Sequence, residues 1–108
     1  MELSFLEHND NFITSVHLDS DAKINVRTWD ERYVVINFIE CGQFQSFGSA
    51  NLEIGRIEKR ALDPFSDWAK PFIEENKDLT DYFEVIFYNA WDSDRINIRL
   101  IAEKITIN

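Results

Sequence analysis

The feature that most limits what this chain can become is a period of two that recurs along most of its length. "FITSVHLD" sets Phe12, Val16 and Leu18 on one side of an extended chain and Ser15 and His17 on the other. After the turn "SDA", "KINVRTW" sets Ile24 and Val26 against Lys23, Asn25 and Arg27. Successive side chains of a strand point to opposite faces, so these stretches read as a hairpin with one wet face. "RYVVINFIE" follows a turn at "DE" and is apolar on both sides, with Val34, Ile36 and Phe38 opposed to Tyr33, Val35 and Ile39. Such a strand is expected at the centre of a sheet or covered on both faces. Residues 12–39 are thus expected to form a three-stranded meander.

The pattern loosens in "CGQFQSFGSANLEIGRIEKRAL", which Gly42 and Gly48 interrupt. "NLEIGRIE" is the strand expected there, and Gly55 inside it signals a bulge. In "LDPFSDWAKPFIEENKDLT", Asp63 suits a helix N-cap and Pro64 the first helical position. Phe65, Trp68 and Phe72 then share a helical edge, and Pro71 ends or kinks the helix near residues 69–70, with a second turn able to restart there and run to Asn76. Alternation returns in "YFEVIFYNA", where Phe83, Val85 and Phe87 oppose Tyr82, Ile86 and Tyr88. It continues in "RINIRLIAEKITI", where Ile96, Ile98 and Leu100 oppose Arg95, Asn97 and Arg99 before the phase slips near residues 101–102, where a bulge is expected. The expected fold is mainly β: an antiparallel sheet of about six strands, as a meander, sandwich or partly open barrel, with one short Pro-interrupted helical insert.

The 108 residues suit one domain, 1–108, and an apolar content of 44% supplies a core without metal or disulfide. Cys41 is the only cysteine, which points to a reducing, cytoplasmic setting. No apolar run nears the roughly 20 residues of a membrane span, and the acidic start "MELSFLEHND" lacks the basic region of a signal peptide. Twenty Asp and Glu against eleven Lys and Arg leave a net charge of −9. Phosphate recognition needs clustered basic residues, so neither nucleic acid nor an anionic membrane is an expected partner. A basic protein is.

The residues that could carry chemistry are few. His8 and Asp10, two apart, share a face of an extended chain just ahead of the first strand. His8 and His17 are the two histidines of the chain, and Cys41 stands alone, so the three or four ligands of a zinc site are not expected, nor is any cofactor. A Cys–His nucleophile leaves no trace in the sequence. His8 and Asp10 read as the knot that starts the sheet, with Asp10 between Asn9 and Asn11 suited to an Asx-turn. "DSD" at 19–21 and 92–94 lacks the downstream Glu of a calcium loop and reads as a turn. The acidic run Glu74, Glu75, Asp78, Asp81 and Glu84 contains one lysine, Lys77. It reads as a solvated face or as part of a partner surface. Trp29, on the polar side of its strand, and Trp91, in a turn, are candidate contact anchors, because exposed aromatics beside acids are typical of protein interfaces.

The pair His8 and Asp10, the turn at residues 19–21, and the strand "YVVINFIECGQF" running into "NLEI" resemble small bacterial all-β immunity proteins of polymorphic toxin systems, of the immunity-protein-fifty type. The resemblance spans about residues 5–57 and returns in "FEVIFYNAWDSDRINIRLIAEKITI". It implies a non-enzymatic inhibitor that binds and blocks a cognate basic toxin. Two other classes stay open. One is a small ligand-binding protein or enzyme with a pocket between helix and sheet containing His8, Asp10 or Cys41. The other is a structural oligomer, such as a dimer paired through an exposed edge strand.

Overall fold

The computed structural model describes residues 3–8, 10–46, 52–92 and 94–108. The expectations that rest on Asn9, Gly48, Asn51 and Ser93 lie outside the described residues. Among the described residues eight strands form: β1 (Phe12–Leu18), β2 (Ala22–Arg27), β3 (Tyr33–Ile39), β4 (Gln43–Ser46), β5 (Leu52–Ala61), β6 (Phe83–Asn89), β7 (Ile96–Ala102) and β8 (Lys104–Ile107). All pair antiparallel in one open sheet of order β4-β7-β6-β5-β1-β2-β3-β8.

Eight strands appear, rather than about six, because two long segments each turn a corner. β3 passes into β4 through residues 40–42, and β7 into β8 through Glu103. The two corners lie side by side: Gly42 N–H donates to the Ile101 carbonyl and Glu103 N–H to the Ile39 carbonyl, both at 3.0 Å. Glu40 makes its turn with a left-handed φ of 54°. The strands at the two edges of the sheet are thus covalent continuations of β3 and β7, which lie far apart in the pairing order. The sheet must curl to meet this condition, and its halves face each other across the core. Phe38 of β3 meets Phe87 of β6 edge to face, with centroids 6.2 Å apart. Ile36 and Phe38 are fully buried, as their side of the alternation requires.

Several faces differ from the sequence expectation. A bulge between Ile13 and Ser15 shifts the phase of β1. Ile13 and Val16 therefore point inward, and Phe12 turns out, under the Arg27 guanidinium at 5.6 Å. Leu18 is exposed at the strand end. β3 is not covered on both faces: Tyr33 on its outer side is 75% exposed. The doubly covered strands are β6, where Glu84, Val85, Ile86 and Phe87 are all buried, and β7, where Leu100 and Ile101 are. Asn97 and Arg99 consequently do not face open water; Asn97 is buried and donates to the Glu53 carbonyl. The bulge expected at Gly55 is present between Ile54 and Ile57, and a Cβ there would fall 2.5 Å from the Asn89 carbonyl oxygen.

The cover over β6 and β7 is the insert between β5 and β6. Its helix is not where Asp63 and Pro64 place it. The Asp63 carboxylate accepts from the Phe65 N–H, and its carbonyl from the Ser66 hydroxyl, so residues 63–66 form an Asx-turn that forgoes helical continuation. The α-helix of the insert, α1 (Lys70–Glu74), opens with Pro71 in its first turn, where a missing N–H costs nothing. Leu62, Ala69 and Phe72 pack on Ile101 in a small second core, with Trp68, Leu79 and Tyr82 around it.

Candidate binding site

The insert meets the sheet at one end of the molecule. The β1–β2 turn lies at this end, tied to the corner at 40–42 by the Cys41 N–H to the Ser20 carbonyl (3.0 Å) and by the Glu40 N–H to the Asp21 carboxylate (3.0 Å). Between this corner and α1 is a recess of about 250 Å3 lined by Ser20, Glu40, Cys41, Gly42, Pro71, Phe72, Glu75, Lys77 and Tyr82. A larger depression beside it is lined by His17, Leu18, Asp19, Ser20, Asp21 and Lys23 of one hairpin.

Four of the five carboxylates read as an acidic run are exposed here: Glu74, Glu75, Asp78 and Asp81. Asp78 caps a 3-10 turn at Leu79–Asp81, and the hydroxyl and N–H of Thr80 both donate to it, which lowers its pKa and secures its charge. The fifth is elsewhere. Glu84 is 3% exposed on the outer face of β6. Arg60, directly opposite on β5, reaches its Oε1 at 2.5–2.6 Å, and Arg99 on β7 reaches its Oε2 at 2.7 Å. Trp68 of the insert lies against the Arg99 guanidinium at 4.4 Å. Glu84 is therefore a clamp beneath the insert, not a member of its acidic rim. Burial opposes the charge on Arg60, but Glu84 and then Glu58 outweigh it and raise its pKa. The signal was in the sequence: Glu84 alternates with Ile86 and Tyr88 on one strand face.

The insert also carries a residue that sequence spacing assigned to the helical edge. Phe65 is 94% exposed, held in the Asx-turn, and Ile73 projects from α1 into solvent. The "DP" dipeptide was the available cue, since a turn-forming Asp before Pro competes with a helix start.

Trp29 and Trp91 occupy the other end. Buried Asn11 organises it: its side chain donates to the Leu6 carbonyl (3.0 Å) and accepts from the Trp29 N–H (2.8 Å), while its carbonyl accepts from the Ile54 N–H. Ile54 pairs with Asn89, whose side chain accepts from the N–H groups of Trp91 and Asp92. Trp29 is 62% exposed and Trp91 76%. Trp29 sits in the β2–β3 turn beyond the strand, where Thr28 donates to the Asp30 carboxylate and lowers its pKa. His8 stacks on Trp29, centroids 5.6 Å apart, and its Nδ1 accepts from the Asp10 N–H. His8 and Asp10 thus sit in a knot at the start of the sheet, with Asn11 at its centre. In a molecule 43 Å long, the acidic residues and the two tryptophans form separate surfaces.

Chemically, the recess contains one thiol, and it is a poor nucleophile. Burial pushes the Cys41 thiol up to about 11, and its Sγ donates to the Gln43 carbonyl. His8, His17 and Asp10 do not line the recess. Among the described residues, no group of three His, Cys, Asp or Glu side chains is placed to hold a metal ion, and no helix is long and apolar enough to cross a membrane. No family model, curated protein or solved structure matches the chain.

Proposed function

We propose that this is a non-enzymatic, cytoplasmic protein-binding module that acts as an immunity-type inhibitor, with the insert end occluding a basic cleft of its partner. One observation carries the reading: Phe65, an ordered and almost fully exposed aromatic, stands on the same insert as four exposed carboxylates. A rigid aromatic anchor within a charged rim is the arrangement from which protein interfaces draw most of their affinity. The negative charge steers a basic partner, and the anchor slows its departure. A protonated, half-buried Cys41 supports the non-enzymatic part of the reading. The resemblance to bacterial immunity proteins supports the choice of a toxin as partner.

The test is kinetic binding to the product of the adjacent gene. Phe65→Ala should weaken binding by about 2 kcal/mol, roughly thirtyfold, almost wholly through faster dissociation. Unchanged dissociation, or no complex with wild type, would sink the proposal.

A further inference from the structure

We propose that the recess between α1 and the corner at residues 40–42 receives one cationic side chain, Lys or Arg, from the basic partner, and that this cation takes over the contacts that Lys77 makes from the recess wall when no partner is bound. This rests on the function proposed above and adds the contact that would give it chemical selectivity.

The chain builds the recess rigidly. α1 ends in a Schellman turn: Asn76 takes a left-handed φ of 57°, its N–H donates to the Ile73 carbonyl, and the Lys77 N–H donates to the Phe72 carbonyl at 2.9 Å. That geometry folds Lys77 back over the Phe72 ring. Phe72 and Tyr82 form a tilted pair with centroids 4.7 Å apart. Gly42 makes room for the pair, because a Cβ there would fall 2.2 Å from the Phe72 ring. Glu75 and Glu40 complete the lining. Two ring faces and two carboxylates are donors of negative potential, and together they select an ammonium or guanidinium group.

The recess already has such a group in its wall, where the Tyr82 hydroxyl and then Glu75 raise the Lys77 pKa. The Lys77 ammonium is 5.7 Å from the Tyr82 centroid, 6.0 Å from that of Phe72 and 3.4 Å from Glu75. These ring distances are at the far limit of cation–π attraction. Elsewhere in the molecule Arg56 lies 4.0 Å from the Tyr88 ring and Arg99 4.4 Å from that of Trp68, as fixed contacts do. The Lys77–Glu75 pair is exposed and adds little. An incoming cation that settles against the recess side of the ring pair, beside Glu75 and Glu40, can displace Lys77 into solvent, and the cavity is large enough for it.

The experiment titrates isotope-labelled full-length protein with ethylguanidinium, and separately with neutral N-ethylurea of the same shape, by NMR. Ethylguanidinium should return the ring-shifted Lys77 ε-methylene signals to their solvent position and move the Phe72 and Tyr82 ring signals; ethylurea should do neither. Lys77→Met should bind ethylguanidinium about fivefold more tightly than Lys70→Met, which removes the same charge outside the recess. Static Lys77 signals, or equal affinity of the two variants, would overturn the proposal. A complex with the basic partner that leaves the Lys77 signals in place would overturn it while leaving the proposed function standing. Displacement by ethylguanidinium without any basic partner binding would count against the proposed function alone.

Discussion

Glu84 shows how one residue can change meaning with its surroundings. In the chain it ends an acidic run; in the fold it is a buried carboxylate shared by Arg60 and Arg99. Removing one member of a buried pair costs about 3–5 kcal/mol, but Arg60 is half exposed and can recover solvent, so Glu84→Ala should lose about 2–3 kcal/mol in denaturant unfolding. Glu74→Ala on the exposed rim should stay within about 0.5 kcal/mol. Equal losses would place the two carboxylates in one environment and refute the clamp. Cys41 gives a second test at this scale. Its pKa rises from the ordinary thiol value to about 11, so the native protein keeps its proton where the unfolded chain has lost it. The unfolded state then binds fewer protons, and the contribution of Cys41 to stability falls as pH rises from about 9 toward 11. At pH 8 the native thiolate fraction is about a hundredfold below that of the unfolded chain, so alkylation by iodoacetamide should be slower by a comparable factor. Equal rates in native and denatured protein would show an open, ordinary thiol.

At the scale of elements, the insert is a separate layer with its own small core, latched by Trp68 on Arg99 and seated by Phe72 against Gly42. A methyl group at residue 42 cannot fit while Phe72 stays in place. Gly42→Ala should therefore cost about 1–3 kcal/mol, the usual range for overpacking, and should loosen the insert before the sheet. Hydrogen exchange is the measurement: amides of residues 69–77 should lose protection while those of β2 and β3 keep theirs. A uniform loss of protection would mean that the insert and sheet unfold as one unit.

At the scale of the whole molecule, the acidic insert with its exposed Phe65 and the two exposed tryptophans lie at opposite ends. The acidic insert, the β1–β2 turn and Glu103 occupy one end; Trp29 and Trp91 occupy the other. A compact partner can use one of these ends, and kinetics distinguishes them. Glu75→Lys with Asp78→Lys should slow association with a basic partner by about tenfold at low salt and flatten its salt dependence, with stability unchanged. Trp29→Ala and Trp91→Ala should leave binding at the insert end intact. If instead the tryptophan variants dissociate faster and the charge reversal has no effect, the partner sits at the Asn11 end. The curl of the sheet depends on a shared interior, so Phe38→Ala, at the meeting point of its halves, should cost about 3–5 kcal/mol. A loss under about 1 kcal/mol would place Phe38 outside the core.

Period-two alternation alone determined that this chain is an antiparallel β protein, where most of its strands lie, and that Ile24, Val26, Ile36 and Phe38 face inward, because the pleat leaves no other reading of such a pattern. Composition alone determined the acidic surface. Local chemistry also marked the bulge at Gly55; the phase slip near residues 101–102, expected as a bulge, is instead the corner at Glu103, where the chain leaves β6 to pair with β3. Tertiary structure decided the rest. The corners at 40–42 and Glu103 exist only because two distant strands bend together, and no local residue pattern records that pairing. Which strand would be covered on both faces depended on where the insert lands, and it lands on β6 and β7 instead of β3. The fate of Glu84, Phe65 and Lys77 followed from the same docking, since burial and charge pairing are properties of neighbours in space. A sequence shows which side of a strand a residue takes; what it meets there is settled only when the other elements arrive.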